Sequence, residues 1–157
     1  MSGSYDTIMV GTDGSPSSFR AVDRAAQVAR DADATLVLLT AFRPMSSREQ
    51  QDASQYLGQE AYKVLGSTPA DDVLRDAADR ARAAGATKVE TVAVEGDPVD
   101  ALVEEALRRK VGLLVVGNRG LNSLAGRLLG SVPANITHKA SCDVLVVHTT
   151  GKGVDPA

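Results

Sequence analysis

Two glycine-containing segments carry the residues whose types and spacing could bind an anion or a hydroxyl-bearing ligand. The first is Gly11-Thr-Asp-Gly14, and the second is Gly117-Asn-Arg-Gly120, followed nine residues later by Gly130-Ser131. Glycine lets backbone N–H groups approach an anion without an intervening side chain. The unpaired N–H groups at a helix start also favour negative charge. The second segment is therefore a candidate phosphate site, provided that a helix begins near Ser131.

Charged side chains extend this chemistry, although each also has a purely structural explanation. Arg119 and Arg127 offer positive charge beside the second segment, or they point to solvent. Asp13 could accept hydrogen bonds from ribose hydroxyls or an adenine amine, or it could cap the following helix. The glycine-rich segment could also be an ordinary surface loop. It is not a Walker A loop, because the sequence contains no Gly-Lys-Ser/Thr.

Short apolar runs, typical of strands, alternate along the chain with segments whose apolar residues have helical spacing. These strands and helices must position the two glycine-containing segments. The predicted strands are Thr7–Val10, Thr35–Phe42, Lys88–Val94, Leu113–Val116 and Asp143–His148. Three cap-plus-proline pairs predict helix starts at Ser15-Pro16, Thr68-Pro69 and Asp97-Pro98, and a short helix is predicted from Ser131 to about Lys139. Residues 44–66 form a polar excursion that could contain a helix. The order predicts an α/β fold with a mostly parallel sheet, whose ligands bind beyond the carboxyl ends of the strands.

Composition excludes several classes of function. The 157 residues suit one domain, and 17 basic against 20 acidic residues give a net charge of -3. That charge and an aromatic content of 3% argue against nucleic-acid binding. The single cysteine, Cys142, excludes an internal disulfide framework and fits a reducing compartment. With neither a signal peptide nor a membrane span in the sequence, we expect a cytoplasmic protein without a membrane partner.

No catalytic or metal-binding group is predicted. His138 and His148 lack the further ligands that metal spacing would require, and Cys142 reads as packing beside a buried strand. Asp13 is the only acid that we place in the site. One carboxylate gives little support for Mg²⁺-assisted hydrolysis.

The spacing Gly117-x-x-Gly120-x9-Gly130-Ser131 resembles the ATP-binding signature of universal stress proteins, Gly-2x-Gly-9x-Gly-(Ser/Thr). Residues 8–15, 95–98 and 142–147 are similar to that family as well. The resemblance implies a single domain over 5–148, with 1–4 and 149–157 as flexible tails. It also implies an open five-stranded, mostly parallel sheet of order 3-2-1-4-5 with helices on both faces, a fold similar to that of the adenine nucleotide alpha-hydrolases.

The same resemblance implies where a nucleotide would bind. Adenine would lie near Gly11 to Asp13 and the end of the second strand, ribose would meet Asp13, and the phosphates would meet the glycine signature. The predicted nucleotide-binding residues are Gly11, Thr12, Asp13, Ala41, Val116, Gly117, Asn118, Arg119, Gly120, Arg127, Gly130, Ser131 and Val132. The implied ligand is an adenine nucleotide, either ATP or a monophosphate such as AMP or cyclic AMP, with Mg²⁺ as an optional companion and no obligatory cofactor.

Three functions stay open at this point. The leading hypothesis is a nucleotide-binding sensor or regulator of a stress response. The alternatives are slow ATP hydrolysis and an interaction module that does not use nucleotide. The resemblance also implies a homodimer formed through the last strand, Asp143 to His148, because an exposed apolar edge strand invites pairing. No other protein partner is indicated.

Overall fold

The computed structural model describes residues 5–42, 67–118 and 131–149, and all statements about the structure refer to these ranges. They contain β1 (Thr7–Gly11), α1 (Pro16–Ala32), β2 (Thr35–Phe42), α2 (Ser67–Ala83), β3 (Lys88–Glu95), α3 (Pro98–Arg108), β4 (Leu113–Gly117), α4 (Ser131–Lys139) and β5 (Asp143–Val147). The predicted excursion at 44–66 lies outside the described residues. So does most of the glycine signature.

The five strands form one parallel sheet in the order β3-β2-β1-β4-β5. This confirms the predicted fold and strand order. The predicted bounds of β2 are those of the structure, and every other strand differs by a single residue at its carboxyl end. The strands could be predicted from the sequence because buried parallel strands are continuous apolar runs.

Two of the three predicted cap-plus-proline helix starts are confirmed, and one is wrong. The Ser15 Oγ accepts the Ser18 N–H at 3.1 Å before Pro16. The Asp97 Oδ2 similarly accepts two N–H groups, at 3.0 and 3.1 Å, before α3. The helix α2 instead begins at Ser67, so Thr68 lies inside it. Proline is tolerated anywhere in the first turn, because those N–H groups have no helical acceptor, and it therefore fixes a helix start only to within a few residues.

The core has two halves, one on each face of the sheet. Alternate strand residues such as Ile8 and Val10 pack against α1 and α2. The intervening residues, such as Met9, pack against α3 and α4. None of the helices among the described residues is long and apolar enough to cross a membrane.

A nearly buried carboxylate lies near the carboxyl end of α3. Glu105 is 9% exposed and accepts hydrogen bonds from the Arg108 guanidinium at 2.6 and 2.7 Å and from Arg109 Nε at 3.0 Å. The bond from Arg108 is the largest cause of a lowered pKa at Glu105. Arg109 also reaches Glu90 of β3 at 3.3 Å, so this ionic cluster links α3 to the edge of the sheet.

Candidate functional site

The strands β1 and β4 stop pairing before their carboxyl ends, in the middle of the sheet, and we call the region beyond this point the crevice. Their last paired residues are Val10 and Val115. Beyond that point β1 stays with β2, where Thr12 N–H donates to the Leu39 carbonyl at 2.9 Å. The strand β4 stays instead with β5. This is the point at which the strand order reverses, where open α/β sheets bind their ligands.

The loop between β1 and α1 is closed by its own hydrogen bonds. The Thr12 Oγ1 accepts the Gly14 N–H at 3.1 Å, and the Asp13 Oδ1 accepts the Ser15 N–H at 2.9 Å. The Ser18 Oγ donates to the Ser15 carbonyl at 3.0 Å and lies 2.7 Å from Thr12 Oγ1. Because Ser18 has only one hydroxyl hydrogen, Thr12 is the donor in that last bond. Buried Thr12 therefore supports the loop with both its hydroxyl and its N–H.

This loop is chemically unlike a phosphate-binding turn. The N–H groups of Gly14, Ser15 and Ser18 all donate to side-chain oxygens of the loop itself. Phosphate-binding turns present such groups to the anion. The loop also contributes a carboxylate, Asp13, which suits a ligand that donates hydrogen bonds and repels one that carries negative charge.

The other wall of the crevice is the end of β4, and a residue from beyond β5 holds it. Asn118 N–H donates to the Val147 carbonyl at 2.8 Å. The Asn118 Oδ1 accepts both the N–H and the Oγ1–H of Thr149, each at 2.9 Å. Thr149 is fully buried, and a Cβ built on Gly117 would lie only 3.2 Å from its Cγ2 and Oγ1. Gly117 thus leaves the space that Thr149 fills.

The structure places the remaining predicted site residues as follows. Val116 is buried with its side chain in the core, and partly buried Ala41 lies near the end of β2. Ser131 and Val132 lie in the first turn of α4, which begins where the sequence predicted it. Arg119, Gly120, Arg127 and Gly130 are outside the described residues.

Sequence reasoning missed two residues of this region, Thr149 and Ser17. The Ser17 Oγ lies 2.7 Å from the Thr149 Oγ1. The hydroxyl-rich run at 15–18 could have suggested a role for Ser17. Thr149 had no local signal, and it stood in the predicted tail.

The described residues with shifted pKa values lie away from the crevice. Donation from the Tyr5 hydroxyl to Asp143, at 2.8 Å, raises the pKa of Tyr5. Burial is the main cause of a raised pKa at Cys142, which disfavours the reactive thiolate. Within 5–42, 67–118 and 131–149, no three His, Cys, Asp or Glu side chains are grouped so as to hold a metal ion.

A parallel five-stranded sheet with helices on both faces and a crevice between β1 and β4 defines an α/β protein of the nucleotide-hydrolase-like class. The model of the universal stress protein family matches residues 4–148. The chain belongs to that family.

Several relatives agree with this assignment. Universal stress protein Rv1636 of Mycobacterium tuberculosis is 55% identical over 146 residues, which are 93% of this chain and 98% of the relative. A solved universal stress protein in complex with cAMP is 50% identical, with a TM-score of 0.73 over 93% of this chain and 98% of its own. UspA from Lactobacillus plantarum, 23% identical with a TM-score of 0.72 over 91% of this chain and 97% of its own, shares the fold.

Proposed function

We propose that this protein binds an adenine nucleotide in the crevice between β1 and β4 and acts as a nucleotide-responsive regulator. The observation that carries the proposal is the divergence of the two strands after Val10 and Val115. This divergence opens one crevice between the Asp13 loop and the start of the glycine signature.

The two walls suit different parts of a nucleotide. The Asp13 loop uses its own N–H groups internally and offers a carboxylate, which favours the ribose hydroxyls or the adenine amine. The phosphate belongs on the opposite wall. There the signature ends at the first turn of α4, which carries no acidic residue. A helix start without nearby carboxylates favours negative charge.

The relative in complex with cAMP supports a monophosphate ligand. That relative is 50% identical and aligns with 93% of this chain. We therefore propose cAMP as the first ligand to test, with AMP and ATP as competitors. A site that needs only the nucleoside and one phosphate would bind cAMP without Mg²⁺.

Calorimetric titration of the whole chain with cAMP, AMP, ATP and GTP, each with and without Mg²⁺, tests this function. We expect adenine nucleotides to bind and GTP to bind at least about tenfold more weakly, since guanine has a carbonyl where adenine has its amine. A thermal-shift series checks the ranking, because a ligand at 100 times its Kd adds about 2.7 kcal/mol of stability. Absence of binding by every adenine nucleotide would overturn the proposal.

We further propose a homodimer formed through β5. This strand is a sheet edge whose apolar residues Val144, Leu145 and Val146 are only partly buried. The opposite edge, β3, instead exposes Lys88, Glu90 and Glu95, and charges of this kind prevent edge pairing.

Backbone direction makes the dimer testable. Asp143 N–H and Val147 C=O bond towards β4, so the alternate residues Val144 and Val146 direct their N–H groups outwards. Val146→Pro removes an outward donor without breaking the pairing with β4. We expect light scattering to give a dimer mass for the wild type and for Val146→Thr, and a monomer mass for Val146→Pro. A monomeric wild type at micromolar concentration would contradict the dimer.

A further inference from the structure

We propose that Thr149 is a positioning residue for the nucleotide site: it fixes Gly117 and Asn118 against the start of α1 and thereby sets nucleotide affinity. The inference rests on the proposed function. It concerns a residue that follows the last strand and that is separated from every predicted binding residue by at least 17 positions in the chain.

Hydrogen bonds fix the direction of each donor around Thr149. Its Oγ1–H donates to the Asn118 Oδ1 at 2.9 Å, which uses its only hydroxyl hydrogen. The 2.7 Å bond to Ser17 Oγ must therefore be donated by Ser17. The result is a directed relay from Ser17 through Thr149 to Asn118. Bonds of this kind strengthen one another when they are shielded from water.

The relay also orients the Asn118 amide. Its oxygen receives two donors from Thr149, the N–H and the Oγ1–H. The donor end, Nδ2, is consequently turned away from Thr149. Asn118 directly follows Gly117, the last residue of β4, and is the second residue of the signature. The two bonds from Thr149 therefore fix the orientation of the Asn118 side-chain amide at the start of the signature.

Two further contacts hold Thr149 itself. Its carbonyl accepts the Arg20 Nη1 at 3.0 Å, from the second turn of α1. Its Cγ2 would lie 3.2 Å from a Cβ at Gly117, so the methyl group occupies the space that the glycine leaves. Thr149 thus connects the end of β4 to α1, the helix that follows the Asp13 loop on the other wall of the crevice. Because both a hydroxyl and a close methyl contact are used, valine and serine substitutions separate the two contributions.

The experiment is a cAMP titration at a temperature well below unfolding, with three single variants. Thr149→Val keeps the branched shape and removes the hydroxyl. Thr149→Ser keeps the hydroxyl and removes the methyl group. Thr35→Val is the matched control, because Thr35 is the first residue of β2 and lies at the amino ends of the strands, away from the crevice at their carboxyl ends.

We expect Thr149→Val to weaken cAMP binding by about tenfold, since the Asn118 oxygen loses one of its two donors from Thr149 and the Ser17 hydroxyl loses its acceptor. Thr149→Ser should stay within about threefold of the wild type and Thr35→Val should equal it. Asn118→Ala completes a double-mutant cycle. If Thr149 acts through Asn118, Thr149→Val should add little to the loss caused by Asn118→Ala.

The outcomes separate this inference from the proposed function. Wild-type binding with equal affinity in Thr149→Val overturns the positioning role and leaves the proposed function intact, whatever happens to the Tm. Equal losses in the Ser and Val variants overturn the role of the hydroxyl. A wild type that binds no adenine nucleotide overturns both. If Thr149→Val does not fold, Ser17→Ala on the helix surface removes one bond of the relay, and unchanged affinity there contradicts the inference.

Discussion

The two walls of the crevice are held in different ways. The wall after β1 is closed by bonds among Thr12 to Ser18, six residues apart at most. The wall after β4 is held by Thr149, which is 31 residues from Asn118 and 132 from Ser17. Both walls contact the first turn of α1: Ser18 bonds to Thr12 on the first wall, and Ser17 bonds to Thr149 on the second.

The first wall is therefore held by local contacts, whereas the second wall is held by contacts that exist only in the completed fold. The Asp13 loop can form as soon as β1 and α1 are in place. The end of β4 acquires its final arrangement only when the chain beyond β5 has docked. We therefore expect loss of the supporting Ser18 hydroxyl on the first wall to act mainly on stability, and changes at Thr149 on the second wall to act mainly on ligand affinity.

The largest effect is expected from filling the space at Gly117. Gly117→Val would displace Thr149 and should weaken cAMP binding by about tenfold to a hundredfold, the effect of about 1–3 kcal/mol of overpacking. Calorimetry measures the loss. Gly112→Val is the matched control just before β4, where the new Cβ would meet the Tyr5 ring at 3.0 Å. Equal losses of affinity in Gly117→Val and Gly112→Val would contradict a specific role of the second wall in ligand affinity.

Ser18→Ala tests the first wall. It leaves the buried Thr12 hydroxyl without its acceptor, and we expect the free energy of unfolding to fall by about 1–2 kcal/mol. Chemical denaturation measures this change. Affinity for cAMP, measured on the folded variant, should change by less than about threefold. A large loss of affinity with unchanged stability would reverse the assignment of the two walls.

Glu105→Gln supplies a reference that lies outside both walls. Because the pKa of Glu105 is lowered in the folded protein, its ionised form stabilises the fold above the ordinary pKa of 4.5, and this stability is lost as the pH falls through the folded value. We expect Glu105→Gln to cost about 1 kcal/mol at pH 7 and to flatten the acid part of the stability profile. Denaturation at several pH values checks this. Reduced cAMP affinity would mean that global stability and affinity cannot be separated here.

The smallest effect is expected from Ser17→Ala. It removes one outer bond of the relay, and Thr149 keeps its bonds to Asn118, so cAMP binding should weaken by about two- to fivefold. The free energy of unfolding should fall less in Ser17→Ala than in Ser18→Ala, because Ser17 is less buried than Ser18. Comparing these two neighbours in one titration series sharpens the contrast between the walls. Equal changes of cAMP affinity and of stability in Ser17→Ala and Ser18→Ala would contradict the difference between the two walls.

Local patterns predicted most of the fold. The bounds of β2, the caps Ser15 and Asp97, and the start of α4 at Ser131 all depend on residues within a turn or two of each other. The same local reasoning misplaced the start of α2, because proline fits several first-turn positions. The two crevice segments were also identified from the sequence, since glycine spacing and a carboxylate after a strand are visible there. The individual binding residues stay predictions.

By itself, the sequence determined the order of elements, which residues face the core, and the two segments that follow β1 and β4. Periodicity and capping encode these features, and both act over a few residues. Only the tertiary structure decided that Thr12 uses its hydroxyl within the loop and that Thr149 completes the wall after β4. Those bonds require side chains to meet in a particular orientation, and for Thr149 the partners are brought together only by the completed sheet. Sequence spacing does not encode that meeting.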